Sequence, residues 1–280
     1  MRSLALIVVW FGPWPVWINL YLESCKWNPT VDWLLVTDQP LPSNRPANVR
    51  FLQTNMQQFS ARLRRATGAD FQPSRAYKFC DVKPAFGHVL EQEIAAYANW
   101  GYGDLDVIYG DLRRFYTDEL LSTYACISSH AHILAGHLAV FENSPRTRGA
   151  YRRRLEWKAA FENGENTSYD EGGFGKVFMP RGGILQYPFK IRPALFIEQH
   201  STVDSELPWL DGQPIHPQRW TWRQGHLTND RDGDREFLYL HFMYWQRSRF
   251  NAAADPVQID WETMADDGLT VTPDGFRRGS

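Results

Sequence analysis

Two apolar runs near the start of the chain, residues 4–10 without interruption and residues 31–37 broken only by Asp32 before ending on Thr37, constrain the fold more than any other feature. A strand with one wet face alternates apolar and polar residues, so a run without alternation reads as a strand covered on both faces by helices. Between the two runs, residues 15–25 carry apolar side chains at helical spacing. The pattern predicts a third strand at 49–52 and helices at 56–66 and 81–98, the last leading directly into an acidic segment. Strand and helix alternating in this way predict an α/β fold with a mainly parallel sheet flanked by helices. Ligands of such sheets sit beyond the carboxyl ends of the strands. Both Trp10-Phe11-Gly12 and the acidic segment fall there.

After Asp111 the pattern changes to α+β. A short helix is expected at 117–124, short strands at 125–129 and 137–141, and an Arg-rich helix opened by Ser144-Pro145. Aromatic strands from residue 184 onward, among them 194–199, 219–224 and 237–244, are separated by Pro and Gly turns and suit antiparallel ribbons. We read residues 1–250 as one domain with halves at 1–115 and 116–250. Residues 251–280 are polar and acidic and read as a loosely packed C-terminal extension.

With 280 residues, 43% of them hydrophobic, the chain can bury a large core in one domain. Its formal charge of −2 gives no overall attraction to polyanions, which argues against nucleic acid as a partner. Cys25, Cys80 and Cys126 are too few and scattered for a disulfide framework or a zinc site, which favours a reducing compartment and small buried side chains. The first apolar run breaks at Gly12-Pro13 with no small-residue cleavage site after it, so it reads as a strand and the protein as cytoplasmic. No stretch approaches the roughly 20 apolar residues of a membrane span, leaving only peripheral membrane contact open.

The chemistry concentrates in Gly103-Asp104-Leu105-Asp106-Val107-Ile108-Tyr109-Gly110-Asp111. An Asp-x-Asp pair on an extended segment points both carboxylates to one side, where they can share a hard divalent cation and, through it, a diphosphate. The alternative for such residues is turn and strand-end chemistry, and Asp111 reads as structural. Just upstream, Tyr77-Lys78-Phe79-Cys80-Asp81-Val82-Lys83-Pro84 offers Lys78 and Lys83 as counter-charges, although Asp81 also suits Lys78 as a simple partner. Far downstream, His241 interrupts an apolar strand, as a satisfied core residue or as the imidazole that completes a cation site. Asp170 and Glu171, before a Gly-rich turn, are candidates for a general base or for orienting a hydroxyl. His130, His132 and His137 lack the spacing of a zinc motif, and most of the 12 Trp residues are expected in the core. Arg146, Arg148, Arg152, Arg153, Arg154 and Lys158 form the one strong basic cluster, either a solvated helix face or a surface for an anionic acceptor or lipid headgroup.

This order of elements resembles GT-A type glycosyltransferases, and most nearly bacterial surface-polysaccharide sugar transferases with Tyr-Lys-x-Cys-Asp-x-Lys-Pro followed by Trp-Gly-Tyr-x-Asp-x-Asp-x-x-x-Gly-Asp. The likeness covers roughly residues 4–245 and is densest at 77–115. It implies a GT-A, Rossmann-like fold with a nucleotide-sugar-binding half at 1–115 and an acceptor half at 116–250. It implies Mn2+ or Mg2+ as cofactor, with Asp106 and His241 as ligands and Asp104 at the ribose or an ion-bound water. Trp10, Phe11 and Gly12 would hold the base, and Lys78 and Lys83 would lie near the nucleotide sugar. The implied partners are a UDP-sugar donor and a glycan or glycolipid acceptor. The chain departs from better-known relatives in having Gly101-Tyr102-Gly103 where they have a Gly-Gly pair, and no motif fixes the catalytic carboxylate, so inversion and retention both stay open. Two other readings compete: a nucleotidyl or phosphoryl transferase holding two ions on Asp104, Asp106 and Asp111, and a non-catalytic glycan-binding protein that uses aromatic stacking alone.

Overall fold

The computed structural model describes residues 2–179, 190–199, 201–202, 207–242, 260–273 and 275–279; the expectations for 184–189, for Met243 and Tyr244, and for 251–259 lie outside them. The first apolar run forms β1 (Arg2–Trp10), followed by helix α1 (Ile18–Lys26), β2 (Val31–Thr37), β3 (Val49–Gln53) and helix α2 (Met56–Thr67). Both runs are covered on two sides, as their lack of alternation predicts. In β1, Ala5 and Ile7 enter one apolar cluster while Leu4, Leu6 and Val8 enter another on the opposite face. Helix α2 starts where the Asn55 side chain accepts from the Gln58 N–H and stops at Gly68, whose φ of 75° suits a residue without a Cβ.

Residues 81–98 do not form the single helix expected of them. Ala76–Ala85 is a 3-10 helix, Phe86–Val89 is one α turn, and Tyr97–Gly103 is strand β4. Pro84 cannot donate to a helical ladder, and the aromatic residues of 97–102 gain more by burial in a sheet, where Trp100 and Tyr102 are wholly inaccessible. The remaining strands are β5 (Val107–Tyr109), β6 (Cys126–Ser128), β7 (Leu138–Glu142), β8 (Ala194–Phe196), β9 (Trp220–Arg223), β10 (His226–Asn229), β11 (Tyr239–His241), β12 (Leu269–Thr272) and β13 (Gly275–Arg278).

The central sheet has the order β3-β2-β1-β4-β7-β6-β8. β3, β2, β1 and β4 run parallel, β7 is reversed, and β6 and β8 are parallel to each other. The fold is therefore α/β around a mainly parallel sheet. Because β2 and β4 flank β1 on opposite sides, the strand order reverses there, and by the general rule for such sheets the ligand crevice is expected at the carboxyl ends of β1 and β4.

The second half differs from the expected ribbons in two respects. β8 joins the central sheet beside β6, and the Arg-rich segment breaks into Pro145–Arg148, a 3-10 turn at Ala150–Arg153 and a helix at Trp157–Glu162. A genuine antiparallel ribbon does form from β9 and β10, which turn on Gln224 and Gly225, both at positive φ. Nor are the final residues loosely packed: β12 and β13 complete a four-stranded sheet of order β10-β9-β12-β13. Leu269, Val271 and Phe276 share an apolar cluster with Trp209, Trp220 and Trp222, and this burial outweighs the polar composition around them.

Leu269 is fully buried, so Leu269→Ala is expected to lower the free energy of urea unfolding by about 2–5 kcal/mol. A loss near zero would mean that the last strands do not belong to the folded core.

Candidate functional site

The segment bearing Asp104 and Asp106 is a bend between β4 and β5 rather than a strand. Its backbone is pinned from three directions. Asp104 N–H donates to the His137 carbonyl at 3.3 Å, the Trp17 indole donates to the Leu105 carbonyl at 2.7 Å, and Phe242 N–H donates to the Asp106 carbonyl at 3.0 Å. Leu105 points into the core between the two carboxylates.

Lys83 Nζ meets Asp104 at 2.6 Å to Oδ1 and 2.8 Å to Oδ2, donates to the Gly136 carbonyl at 3.0 Å, and lies 3.9 Å from Asp170 Oδ2. Burial works against the ammonium's charge, but Asp104 above all holds it on, and its pKa rises well above the ordinary lysine value. Burial also raises the pKa of Asp104 and Asp106, against the pull of Lys83, and at Asp104 the proximity of Asp106 adds to the rise. Two carboxylates thus share the single ammonium of Lys83.

His241 reaches this place through the register of a two-stranded ribbon. β11 pairs antiparallel with β5, setting His241 opposite Val107 and so beside Asp106. Its Nε2 lies 3.8 Å from Asp106 Oδ2, while Asp106 Oδ1 is buried without a hydrogen-bond partner among the described residues. Burial pushes the imidazole pKa down to about 3, so the ring is neutral at physiological pH. Nδ1 lies 3.2 Å from Thr202 Oγ1, and the ring stacks on His137 with centroids 3.7 Å apart. Behind it, the Tyr239 hydroxyl donates to Ser129 Oγ at 2.9 Å and lies 2.6 Å from His137 Nε2. That direction makes His137 Nε2 the donor to Tyr239, which fixes the tautomer of the supporting ring.

Asp170 and Glu171 lie in a wide turn, Tyr169–Gly173, that leans on Gly136. Glu171 Oε1 accepts from the Gly136 N–H at 3.1 Å. A Cβ on Gly136 would sit 2.7 Å from Glu171 Oε1 and 3.1 Å from Asp170 Oδ2, so a side chain there would displace the two carboxylates. Burial, opposed by Lys83, raises the Asp170 pKa to about 7. The turn is held by Asp81, whose Oδ1 accepts from Tyr169 N–H at 2.7 Å and whose Oδ2 accepts from Thr167 N–H at 2.7 Å and from Lys78 at 2.6 Å.

Several expected site residues lie elsewhere. Lys78 is buried and spends its three protons on Asp81 and the carbonyls of Ala160 and Glu165, so it serves the scaffold and reaches no ligand. Phe11 is a core residue packed on Phe79 at 5.0 Å and Phe59 at 6.1 Å. Trp10 and Gly12 lie at the carboxyl end of β1: the Trp10 indole donates to the Gly12 and Pro13 carbonyls, and Gly12 N–H donates to Asp38. Asp111 caps the helix Leu112–Phe115 through Arg113 N–H. His130 pairs with Glu198 at 3.0 Å and His132 is exposed. Sequence reading overlooked Trp17, Thr202 and Tyr239, and noted Gly136 and His137 without a role at this site. Only Gly136-His137, inside a histidine-rich turn, carried a local signal.

An unfolded Asp releases its proton near pH 4, about three units below Asp170 in the fold, so unfolding releases a proton between those values and stability falls as pH rises across that window. Asp170→Asn removes this titration. Its melting temperature relative to the unaltered protein is expected to rise by about 5 °C between about pH 4 and about pH 8. A difference independent of pH would contradict the assigned environment of Asp170.

Comparison with solved structures finds likenesses of low identity. An active-site mutant of LgtC aligns with a TM-score of 0.45 at 10% identity, covering 87% of this chain and 90% of that one. The galactosyltransferase LgtC in complex with donor and acceptor sugar analogs aligns at 0.38 and 11%, covering 69% and 86%. The apo-form glycosyltransferase GlyE of Streptococcus pneumoniae aligns at 0.45 and 13%, covering 94% of this chain and 62% of that one. Comparison with curated proteins finds no match. The match that spans nearly the whole chain, residues 6–278, is to a family described as of unknown function, DUF6625, and the chain belongs to that family.

Proposed function

We propose that this protein is a metal-dependent glycosyltransferase that moves a sugar from a UDP-sugar to a glycan or glycolipid acceptor. The observation that carries the reading is the meeting of Asp106 and His241, distant in sequence, at 3.8 Å. That distance is too long for a hydrogen bond. It is short enough that both side chains could hold one divalent ion between them. The orphaned Asp106 Oδ1 and the neutral imidazole are donors suited to such an ion. Among the described residues, no three His, Cys, Asp or Glu side chains form a ready-made metal site. Two protein ligands leave the other positions to phosphate oxygens and water, the habit of Mg2+ bound together with its nucleotide. When bound, Mg2+ or Mn2+ would supply the positive charge that stabilises the departing diphosphate.

The chain's own residues divide the remaining work. Thr202 beside Nδ1 orients His241 so that Nε2 faces Asp106. Lys83 pairs with Asp104 and fixes it in position for a ribose hydroxyl or an ion-bound water. Trp10 and Gly12 frame the place of the base at the end of β1. Asp170, able to hold or release a proton near neutral pH, suits proton exchange with the acceptor hydroxyl, and Glu171 is held behind it by Gly136.

The competing readings fit less well. A two-ion transferase would need Asp111, which caps a helix, and Asp104, which Lys83 already holds. A binder working by aromatic stacking alone would need several exposed indoles, whereas Trp33, Trp100, Trp220 and Trp222 are at most 1% exposed and the most exposed tryptophan among the described residues, Trp27, is at 36%.

UDP with Mn2+ is expected to raise the melting temperature of the unaltered protein, with neither alone doing so to the same extent. Asp106→Ala and His241→Ala should each weaken that ion-dependent binding at least tenfold. Undiminished Mn2+-dependent stabilisation by UDP in Asp106→Ala would sink the assignment.

A further inference from the structure

The corner after β7 carries the densest run of cations in the chain, from Arg146 to Lys158. Its inner side is firmly anchored. Tyr151 and Phe161 are wholly buried and stacked at 5.5 Å, and Trp157 meets Tyr151 edge-on at 5.3 Å. Its outer side is the reverse. Leu155 is 99% exposed, while the next most exposed large apolar residue described, Ile215, is at 65%. Arg152 lies over the Tyr151 ring and donates to the Ala66 carbonyl, and neither it nor Arg153 has a carboxylate partner among the described residues. Arg154 pairs with Glu156 at 2.9 Å, and Lys158 is 3.7 Å from Glu162. A rigid corner thus presents a bare aliphatic side chain ringed by more positive charge than its carboxylates cancel.

We infer that this corner docks on the anionic surface of a lipid bilayer, with Leu155 entering the acyl boundary and Arg152, Arg153 and Lys158 facing lipid phosphates. The two halves of the feature select that partner together. Basic side chains alone would suit any polyanion, but a fully exposed leucine gains nothing from a polynucleotide backbone and gains burial in a membrane. No helix among the described residues is long and apolar enough to cross a membrane, so the contact is peripheral. The corner is tied to the turn that carries Asp170, the Tyr169 hydroxyl donating to the Tyr151 carbonyl at 2.7 Å. The docking itself is independent of the proposed chemistry.

The test is co-sedimentation of the full chain with vesicles of phosphatidylcholine alone and of phosphatidylcholine with phosphatidylglycerol in equal parts. Binding is expected only to the mixed vesicles and should fade as salt rises. Replacing Arg152 and Arg153 together by alanine should lower the partition coefficient about 30-fold, roughly fivefold per charge. Leu155→Ser, a surface change that leaves folding intact by circular dichroism, should lower it about tenfold. Failure to bind mixed vesicles would overturn the proposal, as would binding unchanged in both variants. Salt-sensitive binding to nucleic acid that ignores Leu155→Ser, with no vesicle binding, would replace the membrane by a different polyanion.

Discussion

The candidate site depends on one buried charge, the ammonium of Lys83. It is the point at which three separately built parts of the chain are tied together: the end of β4 through Asp104, the histidine-rich turn through the Gly136 carbonyl, and the wide turn through Asp170. Removing one partner of such a group leaves an uncompensated charge in a low-dielectric place, which costs more than the intact interaction contributes. The arrangement also explains why Lys83 lies on a 3-10 helix. An α-helix continuing through Pro84 is barred, and the tighter winding carries Lys83 toward the crevice while Lys78 and Asp81 turn into the core.

A second buried pair supports the first from behind. Lys78 and Asp81 are both inaccessible, and Asp81 spends its remaining capacity on the backbone of Thr167 and Tyr169. The two lysines of one short segment therefore have opposite duties, one to the scaffold and one to the site. The duty follows from what each finds within reach: Lys78 meets two backbone carbonyls and a fully hydrogen-bonded carboxylate, whereas Lys83 meets a carboxylate that is one-third exposed.

The parallel half of the fold was legible because largely apolar runs have few other solutions, and the helices α1 and α2 because their periodicity is local. The strand at Tyr97–Gly103 was legible only toward its end, because its start at Tyr97 is set by pairing with β1 and β7, which is non-local. Asp104, Asp106 and His241 could be singled out by residue type, but their juxtaposition belongs to the pairing of β5 with β11, a non-local fact. Trp17, Thr202 and Tyr239 serve through hydrogen bonds to residues far along the chain and leave no mark in their own neighbourhoods. Lys78 was misassigned for the converse reason, because a lysine near a ligand and a lysine neutralised in the core look alike in sequence.

The central claim is that Asp106 and His241 are two ligands of one divalent ion bound together with a nucleotide diphosphate. Anomalous diffraction at the manganese edge, from crystals grown with Mn2+ and UDP, tests it most directly. The account predicts a single peak about 2.2 Å from a carboxylate oxygen of Asp106 and from His241 Nε2, with the diphosphate completing the coordination. A peak shared by Asp104, Asp106 and Asp111 with His241 apart from it, or no manganese in the crevice while UDP is bound there, would contradict it.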